Sequence, residues 1–401
     1  MSKITDSTNP MDFMFEEPFE PMPLLETTYV KVTDTKVTTL PVMTKRERKA
    51  AAASAMAFIC KDADTWTGYA HVPIETLRED VSVHMLLDML ETCRPGQSKE
   101  EEAFINTYLR PLEPFVDAYG NSHITVPVPE GVEGHPNILW SCHTDTVHRH
   151  GGTQKIEVSS GIAWTSDGSC LGSDDTVGIW LALEMIKAKV PGTYVFHRDE
   201  ESGGGGSSWL ARTAPAYLDQ FDAAIALDRA GYRDVITYQA GERCCSDAFA
   251  KSLAKAIGGE FKPCDGGVFT DTANYTDVIG ECTNLSVGYF KQHGPMEHTN
   301  LSFAASLRDA LVKADWTQLA FVRKPGEVER YYHSKWDMGP WDDKYGIGPT
   351  KRDHAYGDDT SDAFNAMERY VTDFPWVVAE YLLEMGVTME DLDAYEPGDL
   401  S

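Results

Sequence analysis

The chain is short of basic residues. Its 401 residues carry 35 Lys and Arg against 63 Asp and Glu, a formal charge of −28, which argues against binding nucleic acid or an anionic membrane by neutralising phosphates. Cysteine is also scarce. Eight residues of 401 are too dilute for a disulfide scaffold, and the adjacent pair Cys244 and Cys245 lacks the spacing of a zinc knuckle or a thioredoxin-like site, so reduced thiols are expected. No apolar run approaches the roughly 18 to 20 residues of a membrane span, and MSKITDSTNPMDFMFEEPFEP has neither the basic start nor the apolar stretch of a signal peptide. A cytoplasmic protein with no membrane and no nucleic-acid partner is the expectation. What the chain does have is apolar material: 42 % hydrophobic and 10 % aromatic residues suffice for a sizeable core and exclude wholesale disorder.

Residues 1–43, rich in Thr, Pro, Glu and Met, lack sustained periodicity and read as a mobile or surface-draped arm. Residues 44–79 form a helical lead-in, because Thr44 and Glu47 make a capping box before the Ala-rich KRERKAAAASAMAFI. From residue 80 to 315 the pattern is α/β. Val83, Leu86, Leu87 and Leu90 recur at helical spacing, Ser98-x-x-Glu101 makes a second capping box, and Ile124, Val126 and Val128 alternate as in a strand. Apolar runs at 137–140, 194–196 and 223–227 predict further strands, with a helix at 177–186 between two of them. Such alternation predicts a mixed, mostly parallel sheet covered by helices on both faces, with its active site beyond the strand ends. Residues 316–401 form an acidic accessory extension with a helix expected from Ser361 to Met385.

Polar groups able to hold a metal recur just after the apolar runs. ILWSCHTDTV delivers His143 and, two residues on, Asp145 to the same side of a strand; alone, the pair reads better as a satisfied surface contact. In LGSDDTVG, Gly172 permits a tight turn where Asp174 could bridge two ions, or where Asp174 or Asp175 could cap the helix. YVFHRDEESGGGGSSWL runs a buried strand into Glu200 and Glu201 and then four glycines. Two adjacent acids there are costly without a cation and would repel a phosphate. One could ligate metal while the other handles a proton. AAIALDRAG ends a strand at Asp228, which could otherwise pair with Arg229, and KQHGPMEHTN offers His293 and His298.

In this order and on these elements, the set resembles the co-catalytic zinc exopeptidase superfamily, which includes leucyl-type aminopeptidases, peptidase T, glutamate carboxypeptidases and aminoacylases. The matching stretch runs from about residue 80 to 310 and includes Asp117 to Asn121, similar to the family's D-x-x-G-N entry. The resemblance implies two divalent ions, zinc with cobalt or manganese as alternatives. It implies that His143 and Asp228 bind one ion, Glu201 and His298 the other, and Asp174 both. Glu200 is then the general base, Asp145 orients His143, and the Asp174 to Asp175 peptide is cis. His298 is preferred to His293 because Thr follows it, and His148 and His150 are expected at the surface near the mouth.

The resemblance also has departures. Its carboxypeptidases, aminoacylases and peptidase T insert a lid domain of about a hundred residues between the fourth and fifth ligands. Here only 70 positions separate Asp228 from His298, enough for the rest of one catalytic domain. The single-domain aminopeptidases are therefore the nearer architecture, and a free amino terminus the expected handle on a peptide substrate. A carboxypeptidase, a deacylase acting on an N-acyl amino acid, a single-zinc glutaminyl cyclase-like enzyme and a non-catalytic scaffold are the competing readings. Residues 1–79 and 316–401 have no counterpart; Trp336, Trp341 and Tyr345 are expected to pack on the domain.

Overall fold

The computed structural model describes residue 69 and residues 71–165 and 168–327. The arm at 1–43, the helix opened by Thr44, the helix expected at 361–385 and Trp336, Trp341 and Tyr345 lie outside the described residues. Among the described residues no helix is long and apolar enough to cross a membrane, and the seven cysteines are all free.

An eight-stranded sheet organises the domain. Its strands are β1 (Phe115–Val116), β2 (Ser122–Val126), β3 (Ile138–His143), β4 (Gly192–His197), β5 (Ala223–Arg229), β6 (Asp234–Ile236), β7 (Lys262–Cys264) and β8 (Glu281–Ser286). Across the sheet they run β7-β6-β8-β5-β3-β4-β2-β1. The middle four, β8, β5, β3 and β4, are mutually parallel, and antiparallel pairings flank them at β2 and β6. All four parallel strands therefore end at one edge of the sheet. That edge receives His143 from β3, the segment after His197 from β4, Asp228 from β5 and the 287–297 loop from β8.

The helices are α1 (Val81–Leu90), α2 (Lys99–Tyr108), α3 (Ser173–Lys187), α4 (Gly205–Thr213), α5 (Asp247–Ile257) and α6 (Leu301–Lys313). Period-two alternation sorts strand side chains between two apolar layers. Ile138, Trp140, Tyr194, Phe196, Ile225 and Leu227 face one layer, which holds residues of α1, α3, α5 and α6. Leu139, Val195 and Ala224 face the other, which holds Leu210 of α4 and Tyr275. The sheet is thus covered on both faces, as the alternation of apolar runs predicts.

Helix ends are fixed by side chains that the sequence marks. Asp80 accepts from the Ser82 amide at 2.9 Å and, with its other oxygen, from Arg308 of α6 at 2.7 Å. Ser98 accepts from the Glu101 amide at 3.0 Å, but the expected capping box is only half made. Glu101 instead takes donors from the Gln97 amide, Thr144 Oγ1 and Arg198, tying α2 to the strand ends at the functional edge. The fold also continues beyond residue 315. Trp316 packs edge-on against Trp140 at 5.0 Å, and the Val322 and Arg323 amides both donate to Glu281 at 2.8 Å.

Helix α3 lies so close to β5 that a Cβ on Gly178 would fall on the Leu227 carbonyl and on Asp175 Oδ1. Gly178→Ala is expected to destabilise the domain by about 1 to 3 kcal/mol, the usual cost of forcing atoms into a packed core. Urea unfolding should show a lower midpoint with an unchanged slope.

Candidate metal centre

The carboxyl ends of the parallel strands place His143, Asp174, Glu201 and Asp228 together. His143 is fully buried at the last position of β3. Its Nε2 lies 3.0 Å from Asp174 Oδ1 and 3.5 Å from Asp228 Oδ1. Its Nδ1 faces Asp145, 3.1 Å from the carbonyl and 3.4 Å from Oδ1. Burial alone would lower the imidazole's pKa, but contacts with Asp145, Asp174 and Asp228 outweigh it and hold the pKa well above the ordinary histidine value.

Asp174 sits where the chain turns from Gly172, in the left-handed region at φ +72°, into α3. The Asp174–Asp175 peptide is cis. While Asp174 Oδ1 faces His143, Oδ2 faces His293 Nε2 at 3.1 Å. Burial raises the Asp174 pKa, but its hydrogen bonds to His143 and His293 reverse the sign and keep the carboxyl strongly acidic. Asp175 points inward and is satisfied by the backbone: Oδ2 accepts from the His143 amide at 3.2 Å and Oδ1 from Gly178 at 3.1 Å.

His298 does not join this cluster. It lies in a short strand, His298–Asn300, paired with Ile162–Thr165 and with Tyr289–Phe290. Its ring stacks on Phe290 at 5.3 Å and its Nδ1 is 2.8 Å from the Met296 carbonyl. His293 does face the cluster: its Nε2, 3.1 Å from Asp174 Oδ2, is also 3.2 Å from Glu201 Oε1. Thr299, the residue that favoured His298 in the sequence, pairs with Ser173 Oγ at 2.5 Å. His148 is likewise buried rather than at the surface, held between Thr146 Oγ1 and the Cys170 carbonyl, whereas His150 is exposed.

The acid pair after β4 is placed by the backbone. The Glu200 and Glu201 amides donate to the two oxygens of Asp145, each at 3.1 Å, so one carboxylate fixes both His143 and the acid pair. The glycine loop then folds back: Gly203 and Gly204 donate to the Glu200 carbonyl, Gly205 to Asp199 and Gly206 to Arg198. These amides are committed to the chain, which removes the phosphate-loop alternative. Asn121 of the DAYGN segment accepts from the Arg198 amide at 3.1 Å; at Gly206 a Cβ would strike Asn121 Oδ1 and the Arg198 carbonyl.

Asp228 is held by Thr270 Oγ1 at 2.7 Å and Tyr289 OH at 3.1 Å, and Arg229 pairs with Asp234 rather than with it. Burial and the Asp174 charge push its pKa up to about 7. Asp271, which the sequence reading missed, is buried with Oδ1 lacking a hydrogen-bond partner. Burial, with Asp228 and Asp145 adding, pushes its pKa up to about 8. Glu200 is raised well above the ordinary value by burial and by Asp228, Glu201 and Asp271. Nothing beside Asp271 in sequence marks it; it opens a short 3-10 helix, Asp271–Tyr275, before β8.

The donor set fits divalent metal. Among the described residues, one donor atom each of His143, Asp174 and Glu201 lie within 4.8 Å of one another, as do those of His143, Asp175 and Asp228. Glu201 Oε1 has the His293 nitrogen nearby but lies outside hydrogen-bond geometry, leaving a buried oxygen unpaired. Imidazole with carboxylate is a ligand set suited to zinc, and carboxylate-rich sites also admit manganese.

This chain is similar in structure to solved peptidases. The aminopeptidase PepT from Bacillus cereus ATCC 10987 aligns at 15 % identity and a TM-score of 0.49, over 58 % of this chain and 97 % of that one. A tripeptidase from Staphylococcus aureus subsp. aureus mu50 aligns at 14 % and 0.45, over 58 % and 96 %. An aminopeptidase from the archaeon Desulfurococcus kamchatkensis aligns at 13 % and 0.45, over 60 % and 95 %. No protein-family model matches the sequence. No curated protein matches it either.

In metal-free protein Asp228 and Asp271 keep their protons to about pH 7 and about pH 8, whereas unfolded aspartates lose theirs near 4. Their contribution is full at low pH and is lost as pH rises through the folded values. Neutral, buried His197 acts in the opposite sense only below about pH 6.5, where unfolded histidine charges. Chelator-treated protein should therefore lose stability from about pH 6.5 to about pH 8.5, on the order of 1 kcal/mol per pH unit. Saturating zinc should remove the trend in thermal melts, and a flat profile without metal would contradict the buried, unneutralised acid cluster.

Proposed function

We propose that the chain is a two-metal hydrolase that cleaves a peptide or amide bond, with aminopeptidase the favoured activity. One observation carries this reading: the two oxygens of Asp174 face opposite histidines, His143 on one side and His293 on the other. Asp228 accompanies the first histidine and Glu201 the second. His143, Asp228 and Asp174 Oδ1 would hold one cation; His293, Glu201 and Asp174 Oδ2 would hold the other. Bound there, two divalent ions would supply Lewis acidity, lowering the pKa of an attacking water and stabilising the oxyanion at the scissile carbonyl.

The chain's own groups then handle the proton. Asp145 fixes the Glu200 amide, so the half-buried Glu200 carboxylate is held at the edge of the cluster without a ligating role. There it would take the proton of the attacking water and return it to the leaving nitrogen. Between Asp228 and His293 the described residues form β6, α5, β7 and β8 of the same sheet domain, with no inserted lid domain. This supports a free amino terminus as the recognition handle.

Glu200→Gln is expected to lower kcat by about 10²- to 10⁴-fold on aminoacyl anilides while elemental analysis still counts two zinc ions per chain. Full activity in that variant would remove Glu200 as the base, and no metal in the wild-type chain would remove the hydrolase reading. In the same assay His293→Ala should retain one ion and His298→Ala both. The opposite pattern would restore His298 as the ligand.

A further inference from the structure

Glu297 is a buried acid that no catalytic role uses. Its carboxylate is buried and accepts four successive backbone amides: Leu171 at 2.8 Å, Gly172 at 3.0 Å, Ser173 at 2.7 Å and Asp174 at 3.3 Å. These amides form the turn that leads into α3, whose helical dihedrals begin only after Asp175, the residue that caps it by accepting from the Gly178 amide. An acid from a distant loop therefore supplies the acceptors for the turn that carries Asp174. Thr299, two residues on, adds its contact to Ser173 Oγ.

The same residue closes the loop that carries His293. The Glu297 amide donates to the Gly294 carbonyl at 3.1 Å, and Lys291 and His293 both adopt positive φ, at +56° and +64°. No regular element contains His293. The other half-site has independent support: His143 sits on the central strand, and Asp228 is gripped by Thr270 and Tyr289. Only the half built from His293 and Asp174 Oδ2 depends on two loops being joined, and Glu297 joins them.

We propose that Glu297 is a positioning residue that locks the His293 loop to the Asp174 turn and so sets the affinity of the His293–Glu201 half-site for a divalent cation. This rests on the two-metal reading above. A carboxylate meets four donors with two oxygens, whereas an amide has one oxygen and would turn an NH₂ towards the same amides. Glu297→Gln should therefore unfasten the loop without removing a ligand.

The test is calorimetric titration of the full-length, metal-stripped chain with zinc alone, so that turnover plays no part. Wild type should bind two ions. Glu297→Gln should bind the first with unchanged affinity and the second about 10- to 100-fold more weakly, the usual effect of removing a group that orients a ligand. In a His293→Ala background the same substitution should cause no further loss. Equal weakening of both ions, as general loosening would give, or unchanged binding of both, overturns the proposal while leaving the two-metal site standing. Absence of metal binding by wild type overturns both. If Glu297→Gln does not fold, Glu297→Asp keeps the charge and shortens the reach; it should weaken the second ion selectively, and unchanged second-ion affinity there overturns the proposal equally.

Discussion

Mutual repulsion among buried carboxylates at the ends of four parallel strands governs the construction of this domain. A parallel sheet brings its strand ends to one edge, and here that edge receives Asp145, Asp174, Asp175, Glu200, Glu201 and Asp228 within a few residues of strand or helix termini. Burying such charges without partners costs several kcal/mol each. The acids divide by how they meet that cost. Asp145, Asp175 and Glu297 are supplied with backbone amides, which except for that of Gly178 belong to another segment. Asp174, Asp228 and Glu201 face histidines across a shared space, and Glu201 Oε1 has no hydrogen bond at all.

That division is functional architecture in physical terms. Acids supplied with amides are structural anchors, because each bond orders the backbone that donates it, although burial still lifts Glu297 to about 7 and Asp175 well above the ordinary range. Burial and neighbouring acids likewise lift Asp228 and Asp271 towards neutral pH. Asp145 links the two classes, holding His143 through one contact and the Glu200–Glu201 amides through others. Buried Arg94 adds a positive charge behind the cluster, donating to the Thr144 carbonyl and Thr176 Oγ1 and lying over Phe104 at 4.2 Å.

The central strands and α3 were legible because their signals are local. Continuous apolar runs ended by polar residues mark buried parallel strands, and each such end carried its candidate side chain in sequence: His143 after ILWSC, Glu200 and Glu201 after YVFHRD, Asp228 after AAIAL. Which loop histidine faces the acids was not legible in that way. His293 and His298 stand five residues apart in one irregular stretch, and which of them turns inward depends on the pairing of His298 with Trp164 and on two positive-φ residues. Following Thr was a poor guide because Thr299 is engaged with Ser173. The Ser98 capping box was also read too locally, since Glu101 finds stronger partners in Thr144 and Arg198.

By itself the sequence determined an acidic α/β domain whose strands end in histidine and carboxylate, because side-chain period, apolar runs and turn residues act over a few positions. Only the tertiary structure decided that Asp174 presents one oxygen to each histidine, that His293 rather than His298 faces it, that Glu297 holds the turn before α3 120-odd positions earlier, and that the Asp271 charge acts on Glu200. Each of these is a contact between segments remote in the chain. Such contacts are fixed by sheet order and loop closure, which no local pattern encodes.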